Sequence, residues 1–196
     1  MVPDRSQLAL KEWAVTVGAL AQGHQILLLR KGGIREEGKH FRIIHPEFLL
    51  YPTYEHQRED LLKLEYQPSL HQVLEEPPQG GTITFSYWAR AEEVIELLDQ
   101  GKVDDLSPHY IWTNAYAQSR LHWKPRFPLS VMLLRVYRIE QPVSVPYLAE
   151  YGGCKSWVNL ASPVPLGRCQ PVLSEADFQH RVAEIKGSLG LAAAAR

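Results

Sequence analysis

Apolar and polar positions change their spacing several times along this chain, and each change predicts an element. Leu10, Trp13, Ala14, Val17 and Leu20 recur at helical spacing, so a helix is expected over residues 6–21, stopped by Gly23. Residues 25–31 follow as a strand. Its centre, Ile26 to Leu29, offers apolar side chains to both faces, as an interior strand does. Gly32 and Gly33 break it, and one of them is expected at positive φ because the chain must turn before Ile34. Short strands are predicted at 41–44 and 47–51, split by His45-Pro46. Thr53 reads as the cap of a helix over 54–65, with Glu55 near its positive end.

Prolines and glycines crowd residues 67–81, which predicts a loop and a subdomain boundary within a chain otherwise read as one globular domain, 1–196. A strand over 82–88 and a helix over 91–98 are expected next, the helix ended by Gly101. Residues 110–121 read as a helix. The apolar run of 129–139 is the strongest strand signal, and its first eight residues are expected in a sheet interior. Residues 156–160 add another strand. Ser174 and Asp177 resemble a capping box opening a helix with the stripe Phe178, Val182, Ile185 and Leu189. The tail 190–196 is expected to fray. The fold class that results is α+β: a mixed or antiparallel sheet, drawn partly toward a barrel, with flanking helices.

Composition narrows the function classes. The 196 residues are 45% hydrophobic and 22% charged, with a formal net charge of −1, so no global basic field steers the chain to nucleic acid and such binding needs a local patch. Two cysteines, Cys154 and Cys169, are too few for a disulfide framework or a four-cysteine zinc site. No secretory signal reads from MVPDRSQLALKEW, and no apolar run approaches the ~20 residues of a membrane span. A cytoplasmic protein with no membrane partner, no metal and no cofactor is expected.

Three groups of residues could carry chemistry. Arg30, Lys31, Gly32, Gly33 and Arg35 end a strand with cations and glycines, a place where backbone N–H groups meet anions; it is neither a Walker loop nor a dinucleotide fingerprint. His45, Glu47, Tyr54, Glu55 and His56 combine imidazole and carboxylate, as general acid–base work requires, without the spacing of a zinc deaminase or zincin. Arg120, Lys124, Arg126, Arg135 and Arg138 interleave with Trp112, Tyr116, Trp123 and Phe127, a mixture that suits single strands and stacked bases. Each group has a plainer reading: a solvated turn, surface histidines, and core aromatics with arginines on the rim. Glu37-Gly38-Lys39 and Glu184-Ile185-Lys186 match the Glu-x-Lys of restriction-type nucleases, but neither follows a strand-borne Asp.

LKEWAVTVGAL, LLLRKGGIREEGKHF, FLLYPTYEHQ, PRFPLSVMLLRVYRIEQPV and YGGCKSWVNL resemble the successive motifs of an uncharacterised bacterial family, domain of unknown function 1802 (DUF1802), across residues 8–160. The resemblance implies no assigned catalytic residue. It implies a restriction or defence context for some relatives, noted beside an endonuclease domain that this chain lacks.

The leading expectation is a non-catalytic module for nucleic acid or another polyanion, with phosphate contact by Lys31, Arg35, Lys124 and Arg126 and stacking by Trp123. Arg30, Gly32, Gly33 and Tyr54 complete the expected anion-binding set. The runner-up is a small enzyme on an anionic substrate, with His56 as acid or base, Glu47 orienting it and His45 a further candidate. A structural partner protein is the third. The first two place Lys31, Arg35 and His56 in one cleft.

Overall fold

The computed structural model describes residues 2–31, 46–75, 81–153 and 155–191. Gly32, Gly33, Arg35, His45, Cys154, the strand expected at 41–44 and the Glu37-Gly38-Lys39 motif lie outside the described residues.

Seven strands among the described residues share one sheet. They are β1 (Arg5–Trp13), β2 (Leu27–Arg30), β3 (Glu47–Thr53), β4 (Thr82–Leu97), β5 (Leu129–Pro146), β6 (Trp157–Pro165) and β7 (Cys169–Pro171). Their order is β2-β5-β4-β3-β1-β6, with β7 also on β5. The sheet is mixed and open, with no barrel closure: β1 and β3 run parallel, and the other pairs are antiparallel. Five helices among the described residues accompany it: α1 (Ala14–Ala21), α2 (Gln67–Glu75), α3 (Gln100–Asp105), α4 (Asn114–His122) and α5 (Glu175–Ser188). The fold class is therefore α+β.

Alternation along the strands divides the core in two. Phe48 and Leu50 join Leu10, the β5 residues 131–134 and helical side chains in one cluster. Their neighbours Leu49 and Tyr51 join Ala9, Phe85, Trp88 and Tyr151 in the other. The interior-strand expectation for 129–136 holds: β5 is buried there, with β4 on one edge and β2 and β7 on the other.

Several expectations are corrected. Residues 5–13 form strand β1, and only 14–21 are helical. The helical spacing of Leu10, Trp13 and Ala14 straddles this junction, and pairing with β3 and β6 on both edges decides the backbone of the first half. Residues 91–97 are strand as well: β4 continues for 16 residues with shifts of register after Phe85 and Ala91, because the apolar run of β5 supplies a partner along its whole length. The helix-favouring composition of AEEVIELL is overridden by that pairing. Gly101 lies inside α3, where the Asp99 side chain caps Lys102 N–H at 2.9 Å. Helix α2 occupies most of the stretch read as a loop.

The helix expected over 54–65 is replaced by a turn and short 3₁₀ turns. The Thr53 hydroxyl donates to Glu12 O at 3.0 Å, and Gln57 Oε1 accepts Val15 N–H at 3.0 Å. This segment thus caps α1 instead of starting a helix of its own. The other end of α1 closes at Gly23, whose φ of +69° and the His24 N–H to Ala19 O bond at 2.9 Å form a left-handed stop.

The capping box at Ser174 is present: its hydroxyl accepts Asp177 N–H at 3.1 Å and opens α5. The end of α5 is tied down further than expected, with Leu191 N–H bonded to Lys186 O at 2.9 Å. Residues 192–196 lie outside the described set.

α5 also makes a pH-sensitive contact. His109 Nε2 lies 2.8 Å from Ser188 Oγ. Burial lowers the His109 pKa below its ordinary value of 6.5; Arg181 and Lys63 add to the fall, and Glu184 opposes it. A depressed histidine contributes stability that is present above the unfolded pKa and lost as pH falls through the folded one. The melting temperature should therefore drop as pH falls below about 6.5, and His109→Gln should flatten that part of the profile. Parallel profiles for the two proteins would remove His109 as the cause.

Candidate functional site

The sheet divides where β3 leaves β4. Those strands pair only from Glu47–Leu49 to Trp88–Arg90. Beyond that point β3 stays with β1 as far as Trp13 and Thr53, while β4 stays with β5 as far as Thr82 and Pro146. A cleft of about 660 Å³ opens in the split. It lies outside the carboxyl ends of the parallel strands β1 and β3, the place where parallel sheets most readily bind ligands.

Four stretches build it. The end of β1 supplies Lys11, Glu12 and Trp13; the end of β3 and its turn supply residues 51–56. The start of β4 supplies Thr82, Ile83 and Thr84, and a loop supplies Gly152, Gly153, Lys155 and Ser156. Arg30, Arg120 and Tyr147 complete the walls. Four cationic side chains, Lys11, Arg30, Arg120 and Lys155, face two carboxylates, Glu12 and Glu55.

Glu12 and Arg30 form an ion pair at 3.1 Å, with side-chain exposures of 7% and 17%. The same carboxylate accepts Trp13 N–H at 2.9 Å, and Arg30 donates to Lys11 O at 2.5 Å. Arg30 Nε is buried without a hydrogen-bond partner among the described residues. Beneath them lies Tyr116, whose ring is 5.4 Å from that of Trp13 and carries the Arg120 guanidinium at 4.9 Å. Burial pushes the Tyr116 phenol up to about 12; Glu12 adds to the rise, and Arg120 and Arg30 oppose it.

On the other side, Lys11 Nζ donates to Gly153 O at 3.2 Å and lies 5.5 Å from the centre of the Tyr51 ring. Burial pushes the Tyr51 phenol up to about 12, with smaller contributions from Tyr147, Tyr151 and Glu55. Tyr147 is 47% exposed. Its hydroxyl fits over Gly152, where an added Cβ would meet it at 2.8 Å and Ala149 O at 3.1 Å.

Of the residues singled out from the sequence, Arg30, Tyr54, Glu55, His56 and Arg120 line this cleft. His56 is exposed in a left-handed turn, φ 61°. Lys31 does not line it: its buried ammonium donates to Leu121 O at the carboxyl end of α4, and burial lowers its pKa. Glu47 begins β3 and His56 follows its end, so roughly 20 Å of strand separates them. Glu47 therefore does not orient His56. The turn at Glu55 and His56 is not a helix start, and at the start of α1 the Val15 N–H is met by Gln57 and the Trp13 N–H by Glu12. No group of three His, Cys, Asp or Glu side chains among the described residues is arranged to hold a metal.

The cation–aromatic stretch divides. Trp112 and Tyr116 are core, and Arg135 is buried against Ser174 O, Glu175 and the Phe178 ring. Trp123 is 51% exposed, with Lys124 Nζ 4.5 Å from its ring centre. Arg126 is exposed in the same turn. This turn follows α4, which carries Arg120 into the cleft.

Sequence reasoning missed Lys11, Glu12, Trp13, Tyr147 and Lys155 as site residues. A signal was present nonetheless. Of the five stretches quoted for the family resemblance, four send residues to the cleft: Lys11 to Trp13, Arg30, Tyr51 to His56, and Gly152, Gly153, Lys155 and Ser156.

Residues 9–184 match the model of the family described as Domain of unknown function (DUF1802). Among solved structures, the chain is similar to a crystal structure of a mutant ZmASCH protein from Zymomonas mobilis, with 14% identity, 93% of this chain and 98% of that chain covered, and a TM-score of 0.38. A likeness at that score carries neither fold nor ligand across. No curated protein matches the chain.

Proposed function

We propose, for a chain that belongs to the domain of unknown function 1802 family, that the cleft binds single-stranded nucleic acid and does so without catalysis. The observation that carries this reading is the mixture on its walls: Trp13, Tyr51, Tyr54 and Tyr147 beside Lys11, Arg120 and Lys155. Aromatic faces accept unstacked bases, and cations along the same groove accept the phosphates between them. The volume of about 660 Å³ suits one or two nucleotides in the cleft, with the chain continuing over the surface. Trp123, Lys124 and Arg126, beyond the end of α4, extend the track. The net charge of −1 fits a local patch better than a general affinity for duplex.

The test is fluorescence anisotropy with short single-stranded RNA and DNA at several salt concentrations. Three phosphate contacts, by Lys11 and Lys155 in the cleft and Lys124 beyond it, give a slope of about −2, so binding should weaken roughly 20-fold between 50 mM and 200 mM salt. Tyr147→Ala should cost about 1–3 kcal/mol through lost stacking. Lys155→Gln should lower affinity and make the salt slope shallower by about 0.7. Absence of binding at low salt, or binding indifferent to salt and to both variants, removes the reading.

A further inference from the structure

The two ends of the cleft differ in chemistry. Alternate residues of β1 point to opposite faces of the sheet. Lys11 lies over Tyr51 on the face of the second core, while Glu12 shares the face of Leu10 and meets Arg30. The Lys11 end is cationic and aromatic. The Glu12 end holds a carboxylate, two guanidiniums and the Trp13 ring together.

That combination fits a base edge better than a phosphate, because a phosphate placed there would meet the Glu12 carboxylate. Each oxygen of Glu12 already accepts one bond, Oε1 from Trp13 N–H and Oε2 from Arg30. A carboxylate has about four lone-pair sites, so each oxygen keeps one for a ligand donor. Arg120 lies over Tyr116, shares a side-chain hydrogen bond with it and takes part in no ion pair among the described residues, so the guanidinium keeps further N–H groups for a ligand acceptor. Trp13 and Tyr54 supply faces against which a ring can lie. Two adjacent acceptors beside a guanidinium donor match one base edge in particular. Guanine alone presents two neighbouring N–H donors, at N1 and N2, next to an acceptor, O6.

We propose that the Glu12 end of the cleft selects guanine, with the Glu12 carboxylate accepting N1–H and N2–H, Arg120 donating to O6, and Trp13 stacking on the ring. This rests on the single-strand reading above. Charge-assisted pairs of this kind discriminate strongly, because a base lacking the donors leaves the carboxylate desolvated and unmatched.

The experiment uses the full chain and uracil nonamers carrying one central G, A, C or U. The G nonamer should bind about tenfold tighter than the other three, the effect of one good bidentate pair. Replacing that guanine by inosine, which lacks the N2 amino group, should weaken binding about fivefold. 7-Deazaguanine should bind like guanine, because N7 is not used. Glu12→Gln should bring the G-to-U ratio close to one. If that variant does not fold, the inosine and deazaguanine arms on the wild type decide alone. Equal binding of all four nonamers, or a preference for another base, overturns guanine selection and leaves the single-strand reading standing. Failure of every nonamer to bind overturns both.

Discussion

Replacing Glu12 by alanine should cost about 3–5 kcal/mol of folding stability, the usual penalty for removing one partner of a buried pair. Glu12 is 7% exposed and its carboxylate holds both Arg30 and Trp13 N–H. Without it, the Arg30 guanidinium stays largely buried with no counter-charge, its Nε already lacking a partner. The N–H of Trp13, at the entry to α1, loses its acceptor as well. Arg30 is 17% exposed at the edge of the cleft, so some water reaches the site and the loss belongs toward the lower end of the range. Urea unfolding of Glu12→Ala, Arg30→Met and the double variant checks the argument. The double variant should be much more stable than the sum of the two losses predicts, because the penalty lies in the orphaned charge and not in the missing attraction. A loss under about 1 kcal/mol in Glu12→Ala would show that the pair is solvated and structurally idle.

Trp112→Ala should be comparably damaging, at about 3–5 kcal/mol, because the indole is completely buried and a truncation there leaves a cavity. Its ring stacks on Tyr116 at 4.8 Å and lies 5.9 Å from Tyr110, and its backbone bridges to Leu62. Tyr116 in turn supports Trp13 and Arg120 at the cleft, so the same change should loosen ligand binding. Trp112→Phe separates the two contributions of the indole. The Nε1 atom is buried with no hydrogen-bond partner among the described residues, so phenylalanine removes an unsatisfied donor while retaining much of the ring. Its loss should be less than half that of alanine. Equal losses in the two variants would mean that the N–H has a partner and that its bond matters as much as the packing.

The nucleic-acid reading and the stability predictions meet at the same side chains. Glu12 and Arg30 are held where a sheet-interior pair would normally be replaced by apolar residues, and Tyr116 is buried with its phenol among three charges. The Glu12–Arg30 pair lies at the carboxyl ends of parallel strands, on the wall of the cleft where the proposed ligand would meet it.

Local pattern alone determined the elements whose partners are already implied by their own residues. The run of 129–139 is apolar on both faces and can be satisfied only inside a sheet. Ser174 and Asp177 cap α5 through atoms three residues apart, a bond made within the segment itself. The match over residues 9–184 was likewise legible in the order and wording of the motifs. Tertiary pairing decided the rest. Residues 5–13 and 91–97 carry helical spacing or composition, yet both lie against long strands whose backbone groups need them, and a paired ladder outweighs a propensity of a few tenths of a kcal/mol per residue. The site was visible only in part for the same reason. Tyr54 and His56 announced themselves by residue type, whereas Lys11, Glu12 and Trp13 read as one turn of a helix. They became walls of a cleft because β1 is a strand that ends beside β3, and β3 splits from β4 where their pairing stops.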